Sequence, residues 1–165
     1  TGASRDTSNK GDPTVVYDAM TDRWLVANFS WANIDAGPFY ECLAVSKTGD
    51  PLTGGWWLCA IRTDDPAHNW LPDYPKMGIW PDGLYMSANM FSFGAGSSYR
   101  GALAWAFNKA QMYAGAPTAQ VVSFVLGGGA FTVVPSTARP QTVPPPHGQP
   151  HPFVSTRLCT PALPV

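Results

Sequence analysis

Proline and glycine interrupt this chain so often that a long helix has nowhere to form: 17 prolines and 16 glycines stand among 165 residues. Proline removes a backbone donor and clashes with the preceding helical turn, and glycine costs a helix interior about 1 kcal/mol against alanine. What lies between the breakers is a series of short β-branched and aromatic runs, the material of strands and turns. Charged side chains are 13% of the residues, well below the ~25% ordinary for globular domains. Binding a phosphate backbone takes clustered Lys and Arg. Here ten basic residues are scattered against eleven acidic ones, so no nucleic-acid partner is expected. With 45% hydrophobic residues the chain can bury a core, which argues against disorder. No apolar run approaches the roughly 20 residues that cross a bilayer, so no membrane span is expected.

Along the chain, residues 13–18 and 23–30 flank the turn Ala19-Met20-Thr21-Asp22 as a hairpin, and further strands are expected over 39–46 and 56–62. The same grammar returns in strands at 75–80, 84–91, 101–107 and 119–126. Letters recur as well: Ala27-Asn28-Phe29-Ser30 returns as Ala88-Asn89-Met90-Phe91-Ser92, at an offset of 61, and Pro13 returns as Pro75 at 62. A repeated four-stranded unit with loop insertions is the mark of propeller blades. Residues 42–45 and 57–61 show no clean apolar/polar alternation, which predicts sheets covered on both faces. The expectation is therefore an all-β chain of antiparallel four-stranded propeller blades, about two and a half of them, with a two-sheet β-sandwich as the alternative. The parts are an N-terminal segment 1–12, a first blade-like repeat 13–62, a linker 63–74, a second repeat 75–129, and a proline-rich segment 130–165 that opens a further blade. No charged-then-apolar leader follows Thr1, as expected of a chain whose signal peptide was removed or of a piece of a longer one.

Several short series carry a resemblance. Gly11-Asp12-Pro13, Val16-Tyr17-Asp18, Arg23-Trp24, Cys42-Leu43-Ala44-Val45-Ser46, Gly54-Gly55-Trp56 and residues 73–82 resemble blades of large bacterial secreted proteins with sialidase-like β-propellers. The resemblance covers roughly residues 11–126. Ser46, Asp50, Gly54 and Trp56 keep the order of that family's Asp-box at a stretched spacing, and in the family this turn is structural and remote from chemistry. The resemblance implies a secreted or extracellular setting. Sialidases use a Tyr/Glu nucleophile pair with arginines on the substrate carboxylate, which makes Tyr40 and Glu41 the catalytic candidates, with Arg23, Arg62 and Arg100 near strand ends. A glycoside hydrolase usually needs two carboxyl groups, and Glu41 is the only glutamate.

Other residue types point to binding rather than reaction. Trp31, Trp70 and Trp80, with Tyr74 and Asp73, sit in or beside loops, where aromatic faces stack on sugar rings and a carboxylate can bond hydroxyls. Asp64, Asp65 and Asp82 are loop carboxylates that could take calcium, although each also fits ordinary turn chemistry. No cofactor is otherwise called for. His147 and His151 lie four apart in a proline-rich stretch that cannot be helical, which argues against a shared metal. Cys42 and Cys59 fall opposite each other in the simplest antiparallel register, where a disulfide could join them, whereas a slip of one residue would send them to opposite faces. The function expected is an extracellular module for carbohydrate or protein binding, or for surface architecture. The alternatives are a fragment of a sialidase-like glycoside hydrolase and a structural subunit of a bacterial surface assembly. Its partners are expected to be a glycan, a protein, further copies of itself, or missing blades.

Overall fold

The computed structural model of the chain describes residues 10–64, 67–68, 70–92, 96–139 and 148–155. It is all-β. Strands β1 (Thr14–Asp18), β2 (Arg23–Trp31), β3 (Phe39–Ser46) and β4 (Trp56–Arg62) lie side by side in chain order as one antiparallel sheet. Strands β5 (Leu71–Ile79), β6 (Gly83–Ser92), β7 (Ser98–Asn108) and β8 (Val121–Gly127) form a second meander of the same kind. A short pair, β9 (Val134–Pro135) with β10 (Phe153–Val154), follows. One helical turn, α1 (Lys109–Tyr113), bridges β7 and β8, and its first turn is capped by the Asn108 side chain, which accepts from the Gln111 N–H. Strand β5 begins at Leu71, inside the segment expected as linker. Pro75 cannot donate to the ladder, and the strand passes it with a bulge between Asp73 and Lys76 in which Tyr74 takes φ +57°.

Alternation along the strands builds one core between the two sheets. From the first come Leu25 and Ala27 of β2 with Leu43 and Val45 of β3, and from the second Ile79, Leu84, Met86, Ala88, Met90, Leu103, Trp105 and Phe107. Ala27 and Ala88, matched in the sequence, enter this same core and so face each other across it. Blades related by rotation would turn equivalent residues the same way round, so the 61-residue letter match is not a blade-to-blade register. Between the sheets β1 lies beside β5, and β5 lies beside β9. Asp18 at the end of β1 is held by Lys109, which also donates to the Trp80 carbonyl after β5, so β1 and β5 end on the same side.

The two sheets differ in cover. Over the far face of the second sheet runs a strap made of residues 131–139 and 148–155. Ser87 donates to the Val133 carbonyl, and Asn89 exchanges two hydrogen bonds with Thr132. The Ala138 N–H donates to Ile79 O (2.7 Å), and Val133 and Ala138 are buried. Gly78 is required there, because a Cβ would meet the Ser136 carbonyl at 2.5 Å. The outer face of the first sheet has no such strap among the described residues, and Val15, Tyr17 and Leu58 stand exposed on it, Leu58 at 75%. Cover on both faces, expected from residues 42–45 and 57–61, thus fails for the sheet that holds them, and in the second sheet it holds over β5 to β7 but not over the exposed β8.

Candidate functional site

The strand positions separate the catalytic candidates. Neighbours in a strand point to opposite faces. Glu41 pairs with Phe29 and Ile61 on the core side, buried at 1% exposure, while Tyr40 is half-buried on the outer side. A nucleophile pair must look into one space, and these two residues do not. The arginines do not converge either. Arg62 makes a two-pronged bond to Asp64 (2.6 and 2.8 Å), Arg23 donates to the Asp22 carbonyl (2.8 Å), and Arg100 donates to Ser92 Oγ (2.9 Å).

The aromatic candidates fall into two places. Trp70 precedes β5 and Trp80 follows it, so the nine residues of that strand hold them roughly 30 Å apart at about 3.3 Å per residue. Trp31 ends β2, stacked on Phe29 (4.9 Å) and edge-on to Phe39 (5.9 Å). Trp70 stacks on His68 (4.2 Å) and packs against the core. Trp80 donates its indole N–H to Gln149 O (3.2 Å) beside His151. No single shelf holds all three. Tyr74 is exposed in the β5 bulge with the Lys76 ammonium over its ring at 3.0 Å, and Asp73 accepts from the Tyr74 N–H (2.9 Å).

The loop carboxylates are likewise apart. Asp64, buried, belongs to Arg62, and Asp82 accepts from the Tyr85 hydroxyl (3.1 Å) in the β5–β6 turn. Asp65 lies outside the described residues, as does His147. Among the described residues no three His, Cys, Asp or Glu side chains come together as a metal would need. His151 lies flat on the Tyr85 ring (3.8 Å) with its Nε2 on Ser136 O (2.8 Å), and burial holds its pKa below the ordinary histidine value.

Cys42 and Cys59 require a correction. The ladder pairs Cys42 with Ala60 and Leu43 with Cys59, one step from the simplest register, so the two side chains leave opposite faces and both remain thiols. The register runs on unbroken to the mouth of the loop, where Gly55, at φ +78°, accepts from the Lys47 N–H (3.0 Å). The hairpin itself is closed by its own groups. Asp50 accepts from the Leu52 and Thr53 N–H groups and the Thr53 hydroxyl, and the Trp56 indole donates to Pro51 O (3.0 Å).

Three further features stand out. The first is a buried polar node joining the sheets. The Asp18 carboxylate accepts from Lys109 Nζ (2.6 Å), the Thr21 hydroxyl (2.7 Å), the Tyr113 hydroxyl (2.8 Å) and the Met20 N–H (2.9 Å). Burial alone would raise its pKa, but the bonds from Lys109, Thr21 and Tyr113 outweigh it and hold the carboxyl below its ordinary value. No local pattern could show this, since 91 residues separate Asp18 from Lys109. The second is a hollow of about 540 Å³ along β3 and β4, lined among others by Asn28, Cys42, Leu58, Cys59, Met112 and Pro117. The third is β8, an outer edge strand whose residues 121–126 are all exposed and uncharged.

No protein-family model, no curated protein and no solved structure matches the chain.

Proposed function

We propose that the chain is a propeller-like extracellular module whose task is docking and architecture, and that it docks another four-stranded sheet against the outer face of its first sheet. The observation that carries this is the unequal cover. Strands β5 to β7 of the second sheet are packed on one face and strapped on the other, with β8 left exposed at the edge, whereas the outer face of the first sheet leaves Val15, Tyr17 and Leu58 to solvent beside the hollow. Exposed apolar patches of this kind mark interaction surfaces. The succession of strands β1, β5 and β9 supports a radial arrangement in which each sheet packs on the next. The resemblance of residues 11–126 to sialidase-like propellers supports the same reading and the extracellular setting.

The partner sheet comes from a second copy or from a longer polypeptide that carries further blades. The test is sedimentation equilibrium of the chain across a wide concentration range, beside the variant Leu58→Lys. Concentration-dependent association that Leu58→Lys weakens, with thermal stability unchanged, supports the proposal. A stable monomer at every concentration, indifferent to Leu58→Lys, overturns it in favour of a self-sufficient two-sheet sandwich. Glycan-array binding that depends on Trp31 or Trp70 would overturn it in favour of a carbohydrate-binding module.

A further inference from the structure

Glu41 is the one glutamate of the chain. It lies on the core-facing side of β3 with neither carboxyl oxygen paired, although almost all of its surface is buried. Its partners across the sheet, Phe29 on β2 and Ile61 on β4, bring no donor. Thr63 continues the β4 side of the same face, with its N–H on Phe39 O (3.0 Å), and its buried hydroxyl is also unpaired. A buried carboxylate with neither counter-ion nor donors is far more costly than a neutral carboxyl in the same place.

We propose that Glu41 is a proton-operated latch between the two sheets: protonated, it packs into the layer they share, and ionised, it drives its end of β3 and β4 away from that layer. The charged side chain that acts on it is Asp12, just before β1, and its like charge opposes ionisation further. Arg62, next to Ile61, points to the other face and is held by Asp64. Cys59, on the same face of β4, is pushed up to about 11, first by burial and then by Cys42, and stays neutral throughout. Lys109 is spent on Asp18 at the other end of β1 and β5.

Burial, with Asp12 second, pushes the Glu41 carboxyl up to about 8 from 4.5. The folded chain thus keeps a proton that the unfolded chain gives up. The Glu41 contribution to the folding equilibrium falls roughly tenfold for each pH unit between those two values and is level outside them. The latch is closed in acid and released toward alkaline pH, independently of any docking partner.

The test uses the full chain grown with carboxyl-labelled glutamate, which gives a single carbon-13 carboxyl signal. Titrated by NMR, that signal should show a midpoint near 8. Amide exchange at residues 39–41 and 61–63, corrected for the intrinsic pH dependence, should accelerate across the same range. In Glu41→Gln the decline of the denaturation midpoint that the parent chain shows between pH 4.5 and 8 should vanish, leaving the rise just below 6.5 that His151 contributes. A carboxyl midpoint in the ordinary range, unchanged protection of those residues across the midpoint, or a parental slope in Glu41→Gln each overturns the latch. Should Glu41→Gln not fold, the carboxyl titration and the exchange still decide.

Discussion

Replacing Lys109 with Met keeps the length of the side chain and removes its charge, which leaves the Asp18 carboxylate buried with only neutral donors. Asp18 has no exposed side-chain surface and Lys109 has 7%. Solvent therefore does little to screen the pair. Removing one partner of such a pair costs about 3–5 kcal/mol, mostly because a charge is left without compensation. For a domain of this size each kcal/mol moves the melting temperature by roughly 2–4 °C, so Lys109→Met should melt roughly 6–20 °C lower. Chemical denaturation followed by tryptophan fluorescence at pH 7 measures the free energy directly. The double variant Asp18→Asn/Lys109→Met should recover most of the loss, since it removes both charges. Acid should also narrow the gap between parent and Lys109→Met, because a protonated Asp18 no longer needs the ammonium. A loss below about 1 kcal/mol in Lys109→Met, or a double variant no better than the single one, would refute the node as the bond between the sheets.

Met86, fully buried in the core, should cost about 2–5 kcal/mol when cut to Ala, read from urea unfolding. Gly115→Ala meets the Trp57 ring at 2.3 Å and φ +66° together, so it should lose about 1–3 kcal/mol and shift tryptophan emission as the ring is displaced. Non-reducing mass spectrometry should find no Cys42–Cys59 bond. Stability should peak at about pH 4–5, below the usual range. From 4.5 upward Glu41 lowers it toward pH 8, whereas the Asp18 contribution is whole above 3.8 and is lost as the pH falls through the depressed value. His151, lowered by burial, opposes Glu41 just below 6.5 and flattens the middle of the curve. Urea midpoints across pH 3–9 check the shape, and a peak at pH 7 or above would contradict it.

Strands β2, β3 and β4 were legible because β-branched and aromatic runs stand between clear turn residues. Register was not legible in the β3–β4 hairpin, since the letters of the loop from Lys47 to Gly55 do not show where the last ladder pair closes, and a step of one residue moves every side chain to the other face. The true start of β5 was hidden by Pro72 and Pro75, which argue against a strand unless a bulge is allowed for. Helix α1 owes its place to the Asn108 cap and to the reach of Lys109 and Tyr113 to Asp18, neither of which local propensity reports. Among the candidate site residues, Tyr40 and Glu41 are adjacent in sequence, and a strand sends adjacent side chains to opposite faces. Glu41 mattered as a buried group without partners, which only its surroundings could reveal.

The meander order of both sheets has a consequence for how the chain comes together in time. Every strand in a sheet pairs with its neighbour in sequence, so each hairpin closes a short loop, and the entropy of closure is small. Topologies rich in local pairings fold fast for β proteins. Polar contacts that join remote segments include Asp18 with Lys109, Asn89 with Thr132, and Trp80 with Gln149. During synthesis the first sheet can therefore assemble before the second has been made. The second can dock once Lys109 and Tyr113 are available to Asp18. The strap closes last, so until it arrives the nascent chain presents Ser87 and Asn89 with their hydrogen bonds unmade.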